Sequence, residues 1–547
     1  MRILKLYTAL VGTVLLLGAA AVPSFAGTTT RGREATPSAK ILSGVPICTT
    51  AAVADTNVDT DCEPSYHFDF GDFDLPVEET TIAVNPTDPL NIVGAAKDKQ
   101  LRLRMSGKLA ETEKTRAHVT FDGGKTWSTY PVGYPGYWVT SDPSITFDAS
   151  GIAYLGVLGI SKDHGVPSNP DVLVSRSDDG GVTWTDPIVV AHGSGPLEGK
   201  GVLNDNSRLV AWGNGNVLVL WLGYIVGDQG QTIRAPLEDA VSHDGGATWT
   251  SPRGISYQAD FCVGLQGGHA CNQNVNDAVA VSPAGDVIAE FTNTDQLGAT
   301  SQEGNFTRTT RMAVQIDAAT GARTGGPFVI GGSFDGIKEH DYPVGAWGPT
   351  AHDSQILLGG QGNLAADPTD PKHFAAVWYD DRNAPHPVAI DPYRAVTNTD
   401  VIVSQSFDGG ETWSDPVALE APGDQFMAWG AYDSQGRLRI GYDDRSYDPA
   451  NHLFGYSLAT ETQPGSLTFT TEQITTKLSN PTRRASPFYS VRTQDPDFPH
   501  PSAFIGDYTA IAATSTGVVA YWTDLRVRAC LATQCGHGQD AFFAAVP

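Results

Sequence analysis

A chain of 547 residues with 61 acidic against 35 basic side chains carries a formal net charge of −26, which disfavours nucleic acid and anionic membrane surfaces as partners. Its 59 glycines and 35 prolines are spread along the whole length, and no stretch holds a long 3.6-residue apolar period. That excludes a helical protein and predicts an all-β chain, long enough for several domains or one large repeat ring.

The first segment has Arg2 and Lys5, an apolar run from Ala9 to Val22, and Ser24-Phe25-Ala26 as a small-residue cleavage site. It reads as a secretory signal over residues 1–26. No later segment reaches the roughly 18 to 20 apolar residues of a membrane helix, so the mature protein is expected to be secreted, soluble and monomeric. Its six cysteines then favour disulfides. They fall into three close pairs, Cys48 with Cys62, Cys262 with Cys271, and Cys530 with Cys535, among the fifteen pairings that six cysteines allow.

Residues 27–79 read as a lead-in, with a strand that completes the last sheet. From residue 80 to 547 one module recurs. It runs strand (Thr81-Ile82-Ala83-Val84), turn, strand (Asn91 to Ala96), long loop, then a hairpin with Thr120-Phe121-Asp122-Gly123-Gly124-Lys125-Thr126-Trp127. The second module ends its hairpin in Ser177-Asp178-Asp179-Gly180-Gly181-Val182-Thr183-Trp184, and the third in Ser242-His243-Asp244-Gly245-Gly246-Ala247-Thr248-Trp249. The fourth has a decayed copy at Ile316 to Gly321. The fifth ends in Ser406-Phe407-Asp408-Gly409-Gly410-Glu411-Thr412-Trp413, the sixth has only Thr460 to Gly465, and the seventh closes on Ala541 to Val546. In each full copy the Asp accepts backbone N–H groups, the glycines supply positive φ, and the indole covers apolar surface.

Module starts at 80, 141, 206, 277, 364, 427 and 505 are spaced for four-stranded blades with long loops on one face. The expectation is a single β-propeller, seven blades preferred and six possible. The repeated Ser/Thr-x-Asp-x-Gly-x-Thr-Trp resembles the Asp-box (BNR repeat) of the sialidase superfamily, across nearly all of the mature chain. The resemblance implies a rim position for Asp122, Trp127, Asp179, Trp184, Asp244, Trp249, Asp408 and Trp413, with chemistry on the opposite face.

On that face three loops start alike: Asp380-Asp381-Arg382, Asp443-Asp444-Arg445 and Asp524-Leu525-Arg526. Arg382, Arg445 and Arg526 can converge on one carboxylate, since a guanidinium offers it a planar donor fork; alternatively each pairs with its own Asp380, Asp443 or Asp524. The resemblance implies an exo-glycosidase of sialidase type, with these arginines on an anionic sugar and Asp507 and Tyr508 near the reacting centre. The Arg-Ile-Pro motif of that family is absent, so the alternative is a non-catalytic extracellular binding or scaffold propeller. A carbohydrate or glycoconjugate is the expected partner in both cases. Glu339-His340-Asp341-Tyr342 is a further loop candidate for substrate or metal. Calcium is a possible ligand of Asp-rich turns such as Asp391-Pro392-Tyr393, although no loop has calcium-specific spacing and no metal ligands are assigned. Phosphate-cradling Gly-Lys-Ser/Thr, His-Glu-x-x-His and Gly-x-Ser-x-Gly patterns do not occur.

Overall fold

The computed structural model describes residues 44–62, 76–103, 109–260, 262, 269–294, 308–334, 344–345, 348–349, 356, 361–383, 397–481, 504–531 and 534–547. The described residues hold strands and no helix. None of them therefore forms a helix long and apolar enough to cross a membrane.

Seven antiparallel sheets follow one another as blades. Their first strands are Val77–Val84, Tyr137–Phe147, Gly201–Trp212, Asn274–Val281, Asn363–Ala366, Gln425–Tyr432 and Ala510–Ala513. Each first strand lies beside that of the next blade, and the seventh lies beside the first, so the ring closes around a central channel. The second strands in blades four to seven, such as Phe374–Asp380, Leu438–Asp444 and Val518–Asp524, are buried along their whole length. They are rich in apolar residues for that reason, being covered by a neighbouring blade on either face, and the polar side chains they carry, such as Glu290 and Arg439, are buried with them. One apolar cluster fills each junction between blades. Val93, Phe147 and Leu155 fill the first, and Val77, Trp127, Tyr521 and Phe543 fill the junction that closes the ring.

Blade seven draws three strands from the end of the chain and its outermost from the lead-in. Val58 and Asp59 pair with Phe543 and Phe542. Cys48 and Thr49, ten residues earlier, pair with the outer strand of blade one at Thr129 and Ser128. The segment 44–62 therefore straps the last blade to the first. Asn57 extends the strap to blade six, donating to the Ile474 carbonyl at 2.8 Å and accepting from the Thr476 N–H at 2.7 Å.

The disulfides Cys48–Cys62 and Cys262–Cys271 are formed. Cys530 and Cys535 stand opposite one another across a short ladder, Arg528–Leu531 with Gln534–His537.

The four repeated turns join third to fourth strands in blades one, two, three and five, and share one wiring. In blade two Ser177 Oγ donates to Asp179 Oδ1 at 2.9 Å, and Thr183 donates its N–H to Oδ1 at 2.8 Å and its hydroxyl to Oδ2 at 2.6 Å. The Gly181 N–H reaches Ser177 Oγ at 2.8 Å, and the Trp184 indole N–H closes on the Gly181 carbonyl at 2.9 Å. The same bonds recur at Asp122, Asp244 and Asp408. Gly180 and Gly181 sit at φ of 73° and 96°, where a side chain is strained. With both oxygens accepting, Asp244 is held down at about 2, first by the Thr248 hydroxyl. These carboxylates are committed to the turn. The weaker copies at Asp317 and Thr462 also join third to fourth strands, in blades four and six.

Candidate functional site

The repeated turns lie on the face where first strands end and second strands begin. The opposite face gathers the starts of the first strands and the ends of the second strands, and here the propeller breaks its own regularity. Five first strands carry a bulge at the same place, between Glu78 and Thr81, Ser141 and Ser144, Asp205 and Arg208, Val275 and Asp277, and Phe426 and Trp429. In each a non-glycine residue takes positive φ: Glu79 at 57°, Asp142 at 51°, Asn206 at 54°, Asn276 at 53° and Met427 at 52°. Such conformations cost on the order of 1–3 kcal/mol each and cluster at functional sites.

The bulges are wired to one another around the channel. Glu79 accepts the Asp142 N–H at 3.4 Å, Asp142 accepts the Asn206 N–H at 3.2 Å, and the Asn206 side-chain amide donates to Asp277. From the second strand of blade one, Lys97 reaches Glu79 at 2.8 Å and Glu78 at 3.1 Å. From the entry to blade seven, Gly506 brings the backbone close at φ 95°, where a Cβ would lie 2.6 Å from the Glu79 nitrogen.

Electrostatics follow from this crowding. Glu78, Glu79, Asp142, Asp205 and Asp277 are buried here and Asp507 is half-buried, against two cations, Lys97 and Arg208. Burial, opposed by Lys97 and reinforced by Asp142, Asp507 and Glu78, raises Glu79 to about 8. Burial and Asp205 raise Asp142 to about 6, with Lys97 and Arg208 pulling the other way. Burial holds Asp277 well above the usual carboxylate range against the pull of Arg208. Burial alone would lower the Lys97 ammonium, but Glu79 and Glu78 override it and hold it well above its ordinary value. One ammonium between two carboxylates compensates a single negative charge, so the surplus is relieved by protonation.

Of the residues singled out in the sequence, Asp507 and Tyr508 join this group. Tyr508 is buried, donates its hydroxyl to the Pro143 carbonyl at 3.3 Å, and lies under the Arg208 guanidinium at 4.1 Å. Burial and then Glu79 push its phenol well above the ordinary value, so it is held neutral.

Arg382, Arg445 and Arg526 are engaged by groups of their own blades, and Arg382 and Arg526 also by the blade before, at the Gly332 carbonyl and the Thr476 hydroxyl. Arg382 takes both Asp380 oxygens, at 2.9 and 2.8 Å, and Trp378 donates to the same carboxylate at 2.9 Å. Arg526 bonds one Asp524 oxygen at 2.7 Å, to which the Trp522 indole N–H also donates at 3.0 Å, and ties down the strap at Asn57 at 2.9 Å. Blade six has Gly441 where the other two have tryptophan, and Arg445 turns to Asp424 at 3.2 Å, leaving Asp443 buried and pushed well above its ordinary range by burial and then by Asp524. Arg382 and Arg526 thus pair with their own Asp380 and Asp524, whereas Arg445 pairs with Asp424 in place of Asp443. Asp380, Asp443 and Asp524 serve the same blade ends.

Among the described residues no group of three or more His, Cys, Asp or Glu is placed to hold a metal ion. Glu339 to Tyr342 and Asp391 to Tyr393 lie outside the described residues.

Sequence reasoning missed Glu79, Asp142, Arg208 and Asp277. The available signal was the phase of the repeat: five of the seven module starts lie at or within two residues of a polar side chain that the structure places at this mouth, Glu79, Asp142, Asn206, Asp277 and Asp507.

No family model matches the sequence, and no curated protein matches it. Among solved structures, it is similar to a Dyadobacter fermentans protein of unknown function, at 12% identity over 87% of this chain and 97% of that one, with a TM-score of 0.41. It is similar to an α-L-arabinofuranosidase of Fusarium graminearum, at 11% identity over 86% and 95% of the chains and a TM-score of 0.39. It is also similar to the NanB sialidase of Streptococcus pneumoniae, at 9% identity over 91% and 98% with a TM-score of 0.38. The architecture itself stands on the strand pairing described above.

Proposed function

We propose that the protein is a secreted, glycan-directed propeller that hydrolyses glycosidic bonds at the mouth of its central channel. One observation carries this reading: two carboxyl groups, Glu79 and Asp142, sit in adjacent strained bulges with their pKa values pushed apart to about 8 and about 6. Near neutral pH the first keeps its proton and the second has lost it, the division of labour that glycoside hydrolysis needs. Glu79 gives its proton to the leaving oxygen as the C1–O bond breaks. Asp142 takes a proton from the water whose oxygen joins C1. Asp507 and Tyr508 border this centre, the neutral Tyr508 phenol supporting Arg208 rather than supplying a nucleophile.

The test is a pH profile of kcat/KM on a panel of 4-methylumbelliferyl glycosides, with Glu79→Gln as the control. Activity is expected to rise as Asp142 deprotonates near pH 6, fall as Glu79 deprotonates near pH 8, and drop by about 100-fold or more in the variant. A variant as active as the parent would remove Glu79 from the reaction.

The engagement of Arg382 and Arg526 by their own blades favours the second reading, a binding propeller without catalysis. It predicts glycan capture by the parent and no turnover of any glycoside.

A further inference from the structure

Besides Ser141 Oγ, the polar atoms left unmatched at these bulges belong to Arg208 and Asp277. Arg208, 4% exposed, has neither Nε nor Nη2 in a hydrogen bond within the protein. Its guanidinium rests on the Tyr508 ring at 4.1 Å and faces Trp429 at 5.5 Å. Asp277, 2% exposed, spends Oδ1 on Asn206 and has no partner for Oδ2. A buried guanidinium with unmade bonds is costly to keep, and so is an unpaired carboxylate oxygen. Side chains left in this state beside strained bulges mark a place where something binds.

We infer that the ligand of this mouth is a neutral, hydroxyl-rich sugar unit whose hydroxyls accept from Arg208 and pair with Asp277 Oδ2, and that it is not an acidic sugar. This rests on the glycan reading above and names its substrate class. A hydroxyl is both acceptor and donor, so one chemical group answers both unmatched sites. A ligand carboxylate accepts from Arg208 but brings a further buried negative charge beside Asp142 and Asp205, which already press on one another, whereas a hydroxyl brings none. An ammonium donates to Asp277 and leaves Arg208 unanswered. Lys97, the other cation, is occupied by Glu78 and Glu79. The arginines expected to hold an anionic sugar, Arg382, Arg445 and Arg526, are closed on protein partners.

The experiment is capture on an array of neutral, sialylated and uronic-acid glycans by the full secreted chain, with Arg208→Met and Asp277→Asn alongside, each checked by thermal melting. Neutral glycans are expected to be retained, and each substitution to weaken that binding by about tenfold or more. Arg208→Lys, which keeps charge without the fork, serves if the methionine variant does not fold. Preference for acidic glycans, binding unchanged in the variants, or no glycan captured at all overturns the inference. Neutral glycans bound but no glycoside hydrolysed removes the hydrolase reading and leaves this one standing.

Discussion

Asp239, in the third strand of blade three, is a carboxylate enclosed by apolar strands with no hydrogen bond to either oxygen. Burial, opposed by Arg253 and reinforced by Glu238, raises it to about 8. A carboxyl group whose folded value lies above its unfolded one contributes stability that is complete below about pH 4 and lost as pH rises through the folded value. Asp239→Asn keeps the shape and removes the titration, so the variant should melt with the parent near pH 4 and pull ahead between pH 4 and 8. The gain above pH 8 is expected on the order of 2–5 kcal/mol, read from denaturant midpoints across that range. Glu79 and Asp142 share this physics, yet neither advertised itself in the sequence. A raised carboxyl needs neighbours from other blades, and Glu79 meets Asp142 only through the packing of blade two on blade one and Asp507 only through ring closure, so no local spacing carries the signal. Asp507 and Tyr508 were legible because they open a module, and the same argument applied to every module would have reached Asp142, Asn206 and Asp277.

At the scale of the element, the repeated turn was the most readable feature, because its bonds run within eight residues and its letters recur. Local wiring also explains what the sequence left open: four turns of the same form sit in different burial. Trp127 is fully enclosed between Tyr521 and Phe543, with ring centroids at 6.3 and 4.9 Å, whereas Trp184, Trp249 and Trp413 are half-buried. Trp127→Ala should cost about 3–5 kcal/mol in urea unfolding, and Trp249→Ala clearly less. Equal losses would mean that the indole acts through its turn alone and not through the junction it fills. The Asp-x-Arg loops teach the converse. Their recurrence was visible, but whether a guanidinium faces outward or folds back depends on a tryptophan two residues before the Asp, as in Trp378 and Trp522.

At the scale of the molecule, the blade count followed from spacing, and the lead-in strand followed from a sheet one strand short. The register of that strand did not, because Thr60 meets Ala541 across 481 residues. Cys48 and Cys62 bracket the strap at a separation of 14 residues. Replacing both by serine should cost about 3 kcal/mol of loop-closure entropy. The loss should appear first as hydrogen exchange at Val58 and Phe543, before exchange at the junction between blades three and four.

The strap also sets an order of events. A chain delivered from its N-terminus exposes residues 44–62 first, but their partners in blade seven arrive last, after every intervening blade has been made. Until then blade one stands with an open flank and the outer edge of Asp540–Val546 is unclaimed. Completion is therefore a late event that joins the two ends of the chain, and a chain cut just before residue 540 keeps the sequence of its first six blades but lacks the strand that the strap pairs with.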